Sequence, residues 1–222
     1  IGVALNEINT RLTLSYAEQL TLSGLPSERA FLCLQQLCHA LNIPDKLHLE
    51  LSSVIPEHVG LGSGTQMAIA VGTALSAFYD LRLSVRDIAQ MTERGARSGI
   101  GVATFEQGGL VVDGGRGKHT LTPPVISRMT VPDDWRFILV FDRRGQGLHG
   151  KQEIQAFKEL PPFPQQEAAR LCYLLMMQGL PALAEGDIQL FGDAITQLQT
   201  SVGEHFASAQ GGVFTSQEVA SV

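Results

Sequence analysis

No uninterrupted apolar run in these 222 residues approaches the roughly 18 that a membrane-crossing helix needs, so no span of a bilayer is expected. Charge is scarce: 17% of residues are charged, 16 basic against 22 acidic, for a formal net charge of −6. A surface that neutralises phosphate backbones would be basic, which argues against nucleic acid as a partner. Cysteine is scarce as well. Cys33, Cys38 and Cys172 cannot all pair within the chain, and none stands in a Cys-x-x-Cys spacing. A reducing, cytoplasmic setting fits this usage. His39, His48, His119 and His205 show no metal-like spacing. The first residues lack a basic segment followed by an apolar one, so no secretory signal is read there. With 44% apolar residues, a disordered chain is excluded, and the length suffices for one large domain or two small ones.

What is present is a mixture of periods. Residues 11–16 alternate apolar and polar side chains and predict a strand. Residues 27–41 carry apolar side chains at helical spacing, with Ser27 as cap. Residues 46–55 set Leu47, Leu49 and Leu51 against polar neighbours, a half-buried strand. A glycine-rich turn over 60–64 leads into a helix over 65–79 that is apolar nearly all round and therefore central. Ser84 caps a further helix, with Asp87 three residues on. Residues 108–115 form a short apolar strand between glycine pairs, and Pro123 and Pro124 mark a break. A strand is predicted over 136–141 and helices over 165–178 and 187–202. A domain boundary falls near 120–133. The elements predict an α+β or α/β fold, without the regular alternation of a dinucleotide-binding array. The sequence begins on Ile1 and stops after 216–222 without a closing element, so further chain is expected at one or both ends.

The most informative stretch is Pro56-Glu57-His58-Val59-Gly60-Leu61-Gly62-Ser63-Gly64-Thr65-Gln66, between a strand and the central helix. Glycines let the backbone turn its amides inward, the helix start adds partial positive charge, and Ser63 and Thr65 add hydroxyls. Together they make a cradle for phosphate oxygens. The loop lacks the Gly-Lys-Ser/Thr ending of a Walker A motif. On composition alone, a helix start whose glycines serve close packing explains it equally well.

The Gly60-Leu61-Gly62-Ser63-Gly64 string resembles the phosphate-loop signature of the GHMP kinase superfamily. The longer blocks EHVGLGSGTQMAIAVGTAL and RSGIGVATFEQGGLVVDGG are similar, more narrowly, to the β-ribofuranosylaminobenzene 5′-phosphate synthases of methanopterin biosynthesis. The superfamily's first and third signatures are not seen. The resemblance implies a two-domain α+β fold. Its N-terminal part, residues 1–125, is similar to domain 2 of ribosomal protein S5 and holds the loop. Its ferredoxin-like C-terminal part, residues 126–222, looks cut short, and the active site is expected between the two.

The implied reaction joins phosphoribosyl pyrophosphate to p-aminobenzoate or p-hydroxybenzoate, releasing pyrophosphate and CO2, with Mg2+ bridging the phosphates. Several kinases of the superfamily take their base from the aspartate of a Ser-Gly-x-Asp stretch. Here the stretch is Ser98-Gly99-Ile100-Gly101, and a glycine accepts no proton. The transferase needs no strong base. Two other readings stand beside it: an ATP-dependent small-molecule kinase, and a phosphate-binding module without catalysis. A homodimer is common in the superfamily.

Gly60, Gly62, Ser63, Gly64 and Thr65 are the phosphate-binding candidates, and Glu106 and Arg97 the catalytic ones. Glu106 would hold magnesium or a ribose hydroxyl, or else close a turn. Arg97, clustered with Arg94 and Ser98, would meet a phosphate or the benzoate carboxylate, or else lie on the surface. Asp113 is a metal ligand or a turn former. Glu57, His58, Arg143, Arg144, His149 and Lys151 are weaker candidates. A Gly62→Val substitution is expected to clog the loop.

Overall fold

The computed structural model describes residues 1–142, 160–214, 216 and 218–221. They fall into two compact units, Ile1–Thr130 and Val131–Val222.

In the first unit, β1 (Gly2–Val3) is followed by β2 (Arg11–Tyr16), β3 (Thr21–Gly24), helix α1 (Glu28–Leu41), β4 (Leu47–Ser53), α2 (Ser63–Phe78), α3 (Val85–Met91), α4 (Ile100–Gln107), β5 (Leu110–Asp113) and β6 (Val125–Met129). Two three-stranded sheets result, ordered β2-β4-β3 and β1-β5-β6. β4 is central in the first. It pairs antiparallel with β2, Leu14 opposite Leu49, and parallel with β3, Leu22 opposite Leu49. The parallel pair requires a crossover, and α1 supplies it.

Leu47, Leu49 and Leu51 project from one face of β4 and are almost fully buried. They pack with Ala30, Cys33, Leu34 and Leu37 of α1 and with Met67, Ala68, Val71 and Leu75 of α2. Ser27 caps α1 by accepting from the Ala30 amide at 3.2 Å. α3 starts on a reciprocal capping box between Ser84 and Asp87. A second cluster, Ile69, Ala89 and Val102, joins α2, α3 and α4, so α2 is buried from two sides as its sequence predicts.

The second unit is helical among the described residues: α5 (Gln165–Leu174), a single π turn (Leu175–Gly179), α6 (Leu180–Glu185) and α7 (Ile188–Gln210). Pro181 has no N–H for the carbonyl four residues back, at Met177, and the chain widens into the π turn just before it. Leu174, Leu180, Ala182, Leu183, Phe191 and Ala194 are buried, and Trp135 packs on Phe191 with ring centroids 5.3 Å apart.

The strand predicted over 136–141 does not form. Those residues have no regular structure, and Phe137 through Phe141 are exposed. An apolar run makes a strand only where a neighbour takes up its backbone groups, and none pairs with it among the described residues. Elements β3, β6, α4 and α6 go beyond the sequence reading. Arg143, Arg144, His149 and Lys151 lie outside the described residues.

Candidate functional site

The loop over 57–62 leaves β4 through a turn and delivers the chain into α2. Gly60 and Gly62 take positive φ, +79° and +66°, where an L side chain is strained. A Cβ at either would meet nothing within 4 Å. These glycines therefore serve the backbone's left-handed turn, and Gly62→Val would be strained in φ as well as fill the open space beside the loop. His58 also adopts positive φ, +63°.

Gly62 is the cap of α2 and has no side chain to accept from the first amides. The Thr65 and Gln66 amides bond to the Gly62 carbonyl at 3.0 and 3.1 Å. The Ser63 and Gly64 amides receive no side-chain cap, and the first turn of α2 contains no acidic residue. The positive end of this 16-residue helix is thus left uncompensated by its own sequence.

Helix α4 begins beside it. Gln66 Nε2 donates to the Gly101 carbonyl at 2.7 Å. A Cβ on Gly101 would stand 3.0 Å from Thr65 Cγ2 and 3.2 Å from its Cβ. Gly101 is therefore the contact that lets the two helix starts approach. The start of α4, unlike that of α2, already has its anion. The Asp113 Oδ2 accepts from the Gly99 amide at 2.7 Å and from Ser98 Oγ at 2.8 Å, and Oδ1 accepts from the Gly115 amide at 3.3 Å. Asp113 ties β5 to α4, which is the turn-forming alternative of the sequence reading.

Two guanidinium groups converge on the start of α2. A Cβ built on Gly64 would meet Arg29 Nη1 at 3.1 Å and Arg94 Nη1 at 3.7 Å. Arg29 Nη1 also pairs with Glu57 Oε1 at 3.4 Å, and His58 Nε2 lies 3.7 Å from Glu57 Oε2. Arg94 Nε is buried without a hydrogen-bond partner. Burial pushes the Cys33 thiol up to about 11, and the nearby Arg94 charge pulls in the opposite direction. Arg29 sits in the first turn of α1 and carried no motif in the sequence. Its signal exists only in space.

Of the residues singled out by sequence, Gly60, Gly62, Ser63, Gly64 and Thr65 form one continuous turn at the start of α2, with Glu57 and His58 on its approach. Arg97 is exposed in the link between α3 and α4. Glu106 is exposed near the opposite end of α4, five residues from Gly101 and so about 7.5 Å along the helix axis. Its carboxylate accepts from Gln107 Nε2 at 3.5 Å. That end of α4 is closed by Arg128, whose Nη2 and Nε donate to the carbonyls of Gln107 and Gly108 at 2.9 and 3.2 Å. No group of three or more His, Cys, Asp or Glu forms a metal cage among the described residues. No helix among them is long and apolar enough to cross a membrane.

Residues 28–109 match the family described as GHMP kinases N terminal domain. The chain is 36% identical over 211 residues to the β-ribofuranosylphenol 5′-phosphate synthase of Archaeoglobus fulgidus, covering 90% of this chain and 67% of that protein. It is 34% identical over 167 residues to the synthase of the same name from Methanothermobacter thermautotrophicus, covering 70% of this chain but about half, 51%, of the relative. The fold matches that of L. major mevalonate kinase, solved with R-mevalonate, at a TM-score of 0.56 and 15% identity over 89% of this chain and 66% of that one. The chain thus belongs to the family of these archaeal synthases and has the fold of the GHMP kinases.

Proposed function

We propose that the protein of which this chain is part transfers the phosphoribosyl group of phosphoribosyl pyrophosphate to p-hydroxybenzoate or p-aminobenzoate, releasing pyrophosphate and CO2. The observation that carries the reading is Gly101 packed on Thr65, where a phosphotransfer base would need room for a carboxylate. The reaction asks for no such base. Pyrophosphate leaves C1 of the ribose with the bonding electron pair, and the ring carbon bearing the carboxylate attacks C1. The C–CO2 bond then breaks, and its electrons restore aromaticity. The relatives' name specifies a phenol, which favours the hydroxy acceptor.

In this reading the uncapped amides of Ser63 and Gly64, together with the hydroxyls of Ser63 and Thr65, receive phosphate oxygens. Preorganised donors of this kind act where negative charge develops on the leaving group. Magnesium, when bound, neutralises phosphate charge. It is ordinarily carried by the phosphates and their waters with one or two carboxylates, so the lack of a ready-made cage is compatible with it. Glu106 belongs at the far end of α4, where a ribose hydroxyl or the acceptor would have to reach it, and Arg97 is retained for the benzoate carboxylate.

The test follows labelled CO2 from carboxyl-labelled p-hydroxybenzoate in the presence of magnesium and phosphoribosyl pyrophosphate. Release dependent on the donor is the expected result. No release with either acceptor, accompanied by ADP formation from ATP and an alcohol, would return the protein to the kinases.

A further inference from the structure

We propose that Arg29 and Arg94 form a two-guanidinium grip for pyrophosphoryl oxygens at the start of α2, and that Glu57 competes with the ligand for Arg29. The proposal rests on the phosphoribosyl pyrophosphate reading above and names the residues that would hold the leaving group.

The start of α2 gathers positive charge from three sources, the helix end itself and two arginine side chains that approach the same point beside Gly64. These arginines come from separate parts of the chain, one from the first turn of α1 and one from the link after α3. Like charges repel, so their convergence calls for an anion between them. Among the described residues Glu57 is the one anion seen to answer, through one 3.4 Å contact to Arg29 with both side chains partly exposed. Glu57 has a second neighbour in His58. On each arginine it is Nη1 that faces Gly64, and a phosphoryl oxygen suits the planar fork of arginine. Asp113 does not serve, because its oxygens are engaged at α4.

Gly64 acquires a role that differs from those of Gly60 and Gly62. Its φ is not positive, and its lack of a side chain keeps the space beside Arg29 and Arg94 clear. The guanidinium groups lie beside Gly64, whose amide is uncapped, so a pyrophosphoryl group bound there is offered both backbone and guanidinium N–H.

The test is calorimetric titration of the protein with inorganic pyrophosphate. The parent is expected to bind. Arg29→Gln and Arg94→Gln should each weaken binding by about tenfold or more, the scale of a charge-assisted hydrogen bond. Glu57→Gln should tighten it, because Arg29 is released from its internal partner. Arg86→Gln, an exposed arginine of α3, controls for overall charge and should change nothing. Arg94→Lys is the substitute if Arg94→Gln fails to fold. Absence of pyrophosphate binding in the parent overturns the proposal, as does parental affinity in a folded Arg29→Gln or weaker binding in Glu57→Gln. The CO2 assay separates this proposal from the synthase reading. Unchanged KM for the donor in an active Arg29→Gln would sink the grip alone, whereas gripped pyrophosphate with no CO2 release would sink the synthase reading alone.

Discussion

Gly101 is constrained by its neighbour. Its carbonyl takes the Gln66 amide and its missing side chain admits Thr65. Gly101→Ala would recover up to about 1 kcal/mol of helix propensity. Against this, forcing a methyl to 3.0 Å from Thr65 Cγ2 overpacks the contact, at about 1–3 kcal/mol. The overpacking wins, and urea unfolding should show a net loss of about 1 kcal/mol. The double variant with Thr65→Ser removes Cγ2 and should regain most of it. Equal stability of the single variant and the parent would remove the packing explanation for Gly101. The glycine-rich turn before α2 was legible in sequence because left-handed turns and close approaches select glycine locally. Arg29 was not, since nothing within its own stretch separates it from an ordinary helical arginine.

Among the elements, β4 is the strand on which the first unit is built. Leu49 lies opposite Leu14 on one side and Leu22 on the other, at 1% exposure. Leu49→Ala should cost about 2–5 kcal/mol in chemical denaturation, with the upper part of that range if the sheet cannot close over the cavity. A loss below about 1 kcal/mol would contradict its central place. Alternation made this strand readable, as helical periodicity and Ser27 did α1. The misses have physical causes of their own. β3 is four residues long and ends in glycine, so it has too few positions to display a period. α4 opens on Gly99 and Gly101, which on propensity alone argue against a helix, and Asp113, at the end of the following strand, secures its start. Residues 136–141 have strong strand composition and no paired neighbour among the described residues, a circumstance that composition cannot report.

For the molecule as a whole, the three thiols report on which parts are shut. Cys33 and Cys38 are buried in the core of the first unit, and Cys172 is exposed in the second. Burial raises both core thiols from the ordinary 9.0 to about 11, with Arg94 opposing the rise at Cys33 and Asp45 adding to it at Cys38. In the folded protein at pH 8, a thiol reagent should modify Cys172 rapidly and the other two only through opening of the unit. Between about pH 9 and 11 the unfolded chain releases thiol protons that the native state retains, so stability should fall as pH rises through that window. Mass spectrometry of the alkylated protein and denaturation at several pH values would check the two halves of this prediction. Equal labelling of all three cysteines in the native state would contradict the buried core.

The crossover from β3 through α1 to β4 has a consequence for how the protein comes into being. It sets Arg29 beside a loop some 30 residues further on, and Arg94 arrives only after α2 and α3 have followed. During synthesis from the N-terminus, the pair of guanidinium groups beside Gly64 cannot be complete until Arg94 has emerged. Until then the glycine-rich turn stands without the two side chains that approach it in the folded unit.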